Sequence, residues 1–126
     1  DIESSLNPSD TILTFIGAQN LHTFIPKDVV DHYVSERIKK KVKNYIIGSK
    51  DQIPEDWQVS AEKELREIRF ANFKYPNFSG DLKIFGNKIA FLSYKENYFG
   101  LVIESAELST LHKNMFYALW DMLGNK

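Results

Sequence analysis

The sequence predicts a single α/β domain, a mixed β-sheet flanked by helices. Three observations carry that expectation. Two short β-branched apolar runs, 11–17 (TILTFIG) and 42–48 (VKNYIIG), bracket a stretch whose apolar residues recur every fourth position. A Gly86-Asn87 pair separates two further apolar runs, which reads as a hairpin of the primed kind, since both residues tolerate positive φ. A last segment, 105–123, is apolar at helical spacing and is followed by Gly124.

The elements follow in order. Residues 1–10, with Asn7-Pro8-Ser9-Asp10 as a turn signal, read as a flexible lead-in to a domain over 11–124. A buried strand over 11–17 leads through a connection to a helix over 26–41. Val30, Val34 and Ile38 form its stripe, Val29 and Tyr33 widen it, and Asp31, Glu36, Lys39 and Lys40 lie opposite. A strand over 42–48 precedes a polar loop and a weakly patterned helix over 54–65. A strand is expected at 67–71, then three more at about 81–85, 88–94 and 98–104. Ile89, Ala90, Phe91 and Leu92 are apolar on both faces, so the middle one of these is expected to be central and covered on both sides. Ser105 reads as the N-cap of the last helix, with Glu107 at its positive end. Leu108, Leu111, Met115, Leu119 and Met122 form its stripe, widened by Phe116, Trp120 and Leu123. The order is β-α-β-(α)-β-β-β-β-α.

Composition bounds the function. The 126 residues are 43% hydrophobic and 13% aromatic, enough for one proper core. A net charge of −1 argues against direct grip on a phosphate backbone. The basic cluster Lys39-Lys40-Lys41 with Lys43 reads as a solvated helix end. The absence of cysteine excludes disulfides, thiolate metal sites and thiol nucleophiles, and fits a cytoplasmic location. No apolar run approaches the roughly 20 residues that span a bilayer, so no membrane partner is expected. The chain opens on Asp1, and is expected to be an excised or processed piece.

Chemistry is sparse. His22, His32 and His112 lack the spaced partners a zinc site needs. Gly17-Ala18-Gln19-Asn20 follows a strand as phosphate loops do, but lacks their further glycines and lysine. No serine sits in a strand-turn-helix elbow. No cofactor is expected. Glu67, Arg69 and Glu104 sit in apolar company, and Arg37 lies beside the first helix's stripe. These are expected either to pair in a partly buried ion pair or to line a polar pocket for a small anionic or hydroxylated effector. The pocket reading places Gln19, Asn20, Arg69 and Glu104 at the ligand, near the loops 17–23 and 74–80. The apolar belt of the last helix is wider than one sheet face requires, which makes Tyr117 and Trp120 candidates for a self-association surface.

The blocks YVSERIKKKVK (33–43), LREIRF (65–70), LKIFGNKIAFLS (82–93), GLVIES (100–105) and MFYALW (115–120) together resemble the C-terminal regulatory domain of TrmB-like transcriptional regulators. The resemblance spans roughly 11–123 and rests on the order and spacing of the blocks. It implies one half of a phospholipase D-like fold, a DNA-binding winged helix-turn-helix upstream, and a homodimer that reaches DNA through that upstream domain. Some relatives bind sugars through an additional C-terminal domain, which is expected to be missing from a chain ending at Lys126. Active phospholipase D members carry His-x-Lys and a following Asp; laid over this hairpin, those positions fall near Ser79, Asp81 and Gly86. Serine and aspartate cannot replace an attacking imidazole, so the resemblance implies a scaffold without the catalyst. Two alternatives stay open: a phospholipase D-like phosphodiesterase or nuclease, and a standalone protein-interaction domain.

Overall fold

A computed structural model describes residues 11–17, 27–50, 53, 55–72, 80–93 and 99–124. The elements are β1 (Thr11–Ile16), α1 (Lys27–Lys39), β2 (Lys43–Gly48), α2 (Glu55–Val59), β3 (Arg66–Phe70), β4 (Gly80–Phe85), β5 (Lys88–Ser93), β6 (Phe99–Glu104) and α3 (Ala106–Gly124). The order matches the one read from periodicity. The six strands form one sheet, β3-β2-β1-β4-β5-β6. β1, β2 and β3 are parallel, joined through the helices α1 and α2; β4, β5 and β6 form an antiparallel meander that joins β1 through β4. The mixed α/β fold is as the sequence predicts.

Strand alternation gives the sheet two covered faces. On one, Leu13, Ile47 and Ile84 pack with Phe116 and Trp120 of α3. On the other, Ile12, Val42, Phe85 and Ala90 pack with Tyr33 of α1, while Ile16, Ile46 and Ile53 pack with Trp57 of α2. Gly48 ends β2 where a Cβ would stand 2.5 Å from Cγ2 of Ile16, so only a bare Cα lets the strands close there.

The chain turns into β2 and into β3 in the same way. The Lys41 amide donates to the Ile38 carbonyl and the Val42 amide to Arg37, with Lys41 at φ 58°. The Leu65 amide donates to Glu62 and the Arg66 amide to Ala61, with Leu65 also at φ 58°. These are Schellman closures with a non-glycine residue in the left-handed position, which costs roughly 1–2 kcal/mol at each. The helix expected over 54–65 ends at Val59, but the Ser60 amide donates to Asp56 and the Glu64 amide to Ser60, so turns at helical spacing continue beyond it. At the hairpin only Gly86 takes positive φ, at 57°, so one residue and not both does the turning.

Three expectations are corrected. β5 is next to the edge rather than central: Ile89 and Ala90 are buried, but Phe91, Leu92 and Ser93 are only half-buried. The inward face of α1 is centred on Val34 and the fully buried Arg37, while Val29 is exposed. α3 is rotated about its axis from the predicted stripe. Its buried residues are Ser109, Phe116 and Trp120, and Leu108, Leu111, Met115 and Met122 face outward. The aromatic rings bury more area per residue than Leu or Met, and Ser109 is drawn inward because its hydroxyl donates to the Gly86 carbonyl at 2.8 Å. The Ser105 cap holds as expected, its Oγ accepting from the Leu108 amide at 3.1 Å.

Candidate functional site

The positions laid over the phospholipase D motif are Ser79, Asp81 and Gly86. Asp81 is buried on β4, and Lys83, two residues on, is buried with its ammonium 5.6 Å from the centre of the Tyr33 ring. Gly86 sits at the exposed turn, and Ser79 lies outside the described residues. His112 is on the opposite face of the sheet, where its ring meets Phe91 edge-on at 6.3 Å. Its Nδ1 lies 2.8 Å from the Leu108 carbonyl. Lys83 and His112 therefore cannot act on one phosphorus. Among the described residues, no group of His, Asp and Glu is arranged to hold a metal ion, and no helix is long and apolar enough to cross a membrane.

The buried cations hold turns together. Arg37 is fully buried and donates to the carbonyls of Val42 at 2.8 Å, Glu64 at 2.7 Å and Leu65 at 3.4 Å. It thus fastens both Schellman turns to one side chain. Arg66 is buried against the Trp57 ring at 4.5 Å and bonds the Glu64 carboxylate. Burial lowers the pKa of both guanidiniums; Tyr33 opposes the shift most for Arg37, and Glu64 for Arg66. Among the described residues the partly buried ion pair is Arg66–Glu64, in place of the one expected among Glu67, Arg69, Glu104 and Arg37. Beside it an open cleft of about 620 Å³ runs along the edge strand β3, lined by Tyr45, Gln58, Leu65, Ile68 and Phe70 among others.

The structure does not bring the four expected ligand residues together. Gln19 and Asn20 lie outside the described residues. Arg69 is on β3 and Glu104 on β6, the two opposite edges of the sheet. Five strand spacings separate them, about 24 Å, so one small molecule cannot touch both. Arg69 is instead a helix cap: its Nη1 donates to the Trp120 carbonyl at 2.6 Å and its guanidinium lies 4.3 Å from the Trp120 ring centre. The last turn of α3 has no basic residue of its own, so β3 supplies the cation for the negative helix end. Glu104 is exposed and stands opposite Lys88 in the β5–β6 register.

The two association candidates separate. Tyr117 is 40% exposed, and burial, then Tyr45 and Asp121, push its phenol above the ordinary range. Trp120 is only 7% exposed, packed on Tyr45 and Phe116 and covered by Arg69, so it is a core residue and not a surface one. What sequence reasoning missed is the outer flank of α3. Leu108, Leu111, Met115 and Met122 are 43%, 51%, 55% and 67% exposed. The signal was the excess width of the apolar belt, assigned to the wrong side of the helix. His112, between Leu108 and Met115 on the helix surface, covers Phe91, whose neighbour on β6 is Leu101. Leu101 and Val102 are themselves 44% and 55% exposed. The helix flank and the β6 edge therefore adjoin.

No protein-family model matches the chain, and no curated protein matches it. Among solved structures the chain is similar to TrmBL2, described as an archaeal chromatin protein with a novel mode of DNA binding. The TM-score is 0.58 at 18% identity, over 89% of this chain and 43% of TrmBL2. The likeness is one of fold, and this chain spans less than half the length of that protein.

Proposed function

We propose that the chain is a non-catalytic dimerisation and effector-sensing domain of a TrmB-like transcriptional regulator, whose DNA-reading head lies in another part of the same protein. The observation that carries the reading is the apolar flank of α3, exposed on a monomer and continuous with an exposed strand edge. Contiguous apolar surface of this kind marks association. The fold shared with TrmBL2, a chromatin protein that binds DNA, supports the regulatory context. Pairing of two such domains would set the spacing of two DNA-reading heads. An effector in the cleft beside β3 would act by favouring one arrangement of the pair.

Sedimentation equilibrium tests the dimer. The chain is expected to be dimeric at micromolar concentration, and the double variant Leu111→Glu, Met115→Glu is expected to dissociate it. Losing two such side chains from an interface removes about 3 kcal/mol, which is a Kd raised by more than about 100-fold. A monomer at millimolar concentration would sink the reading. The non-catalytic half is checked by bis-nitrophenyl phosphate, for which no turnover above the buffer rate is expected.

A further inference from the structure

We infer that the partner on the β6 edge is a second copy of this chain, joined by antiparallel β6–β6 pairing about a two-fold axis through Val102. The inference rests on the dimer reading above and deepens it.

The edge itself dictates the register. The Ser105 amide donates to the Asn87 carbonyl at 2.8 Å, and β5 and β6 pair as Lys88 with Glu104 through Ser93 with Phe99. Alternation along an antiparallel ladder then turns the peptide groups of Phe99, Leu101 and Ile103 toward β5, and those of Gly100, Val102 and Glu104 away from it. The outward row lies at the end of the sheet, with no further strand beyond it among the described residues. Edges left in water are ordinarily guarded by charged side chains, above all lysine, by proline, a bulge, brevity or a covering segment. Residues 99–104, FGLVIE, contain neither lysine nor proline, carry a single charge at their last residue, Glu104, pair without a bulge, and run six residues. Such an edge is built to be covered.

Its chemistry selects a second copy. With the axis at Val102, that residue faces Val102 of the partner subunit as a hydrogen-bonded pair. Gly100 faces Glu104 of the partner subunit, and Leu101 faces Ile103 of the partner subunit. The only charge on the strand therefore meets a glycine rather than its own image, and every outward amide between 100 and 104 finds a carbonyl. Shifting the axis by one residue either way leaves an outward group of that stretch unpaired. On the α3 side of the joined sheet, the Leu101 contacts lie next to the Leu108 and Met115 flanks of both subunits, so the two exposed apolar features are covered together.

The chain has no cysteine, which makes a clean test. Opposed Cα atoms of a hydrogen-bonded antiparallel pair stand about 5.5 Å apart, within the roughly 4.4–6.8 Å a disulfide bridges. Leu101 and its own image are offset by two residues and exceed that reach. The variants Val102→Cys and Leu101→Cys both change exposed side chains. Under copper-phenanthroline oxidation, Val102→Cys is expected to link into a covalent dimer at least about tenfold faster than Leu101→Cys. Equal or reversed rates in a chain that sediments as a dimer would overturn the edge pairing and leave the dimer reading standing. A wild-type chain that sediments as a monomer would overturn both.

Discussion

Replacing Arg37 with alanine is expected to destabilise the domain by about 3–5 kcal/mol, from two buried carbonyls left unpaired at roughly 1–3 kcal/mol each and the loss of a large buried side chain. The total stability of such a domain is only about 5–15 kcal/mol, so the variant will be largely unfolded at modest urea. The reason is geometric. One guanidinium serves carbonyls at 42, 64 and 65, which belong to two turns from different parts of the chain. Hydrogen bonds to charged groups contribute roughly 1.5–3 kcal/mol each, and relief of the buried cation's desolvation offsets part of their loss. Leu65 keeps its bond from the Asn44 amide, so the damage centres on Val42 and Glu64. Urea titration followed by the fluorescence of Trp57 and Trp120 measures the effect. Arg37→Met separates packing from bonding, because it fills the space without donating. If Arg37→Met were as stable as the parent chain, the fastening role would be wrong.

Phe116→Ala is expected to cost about 3–5 kcal/mol, as buried phenylalanines do. Phe116 is fully buried, with Phe15 edge-on at 5.2 Å and Trp120 stacked at 5.6 Å. Its neighbour Met115 is 55% exposed, so Met115→Ala should stay within about 0.5 kcal/mol in the monomer at high dilution. The pair of variants decides which side of α3 faces the sheet. A larger loss at Met115 than at Phe116 would mean the helix is turned the other way.

That rotation marks where sequence reading stopped. Strand alternation and helix periodicity are local, so the order of the nine described elements and the Ser105 cap could be read from the chain. The face a helix buries is a competition, however, and α3 offers two adjoining apolar stripes. Local spacing cannot rank them; ring area and the Ser109 bond to Gly86 do. Arg37 was legible as a charge beside an apolar stripe, but its acceptors lie at 42, 64 and 65, and main-chain carbonyls leave no mark in a sequence. Arg69 and Glu104 looked alike because both interrupt apolar runs. Only the strand order shows that they stand at opposite ends of the sheet.

The position of β1 also decides when this domain can be finished as it leaves the ribosome. β1 is among the first described residues to emerge, and its parallel neighbour β2 follows within about thirty residues. Its other neighbour is β4, where Leu13 meets Ile84. Until residue 85 has cleared the exit tunnel, the second side of β1 stays open on a buried, β-branched strand. The meander 80–104 and the helix after it form through short-range contacts and close that side last. A nascent chain stalled before residue 80 therefore exposes the stickiest segment of the domain, and needs a holding chaperone most at that length.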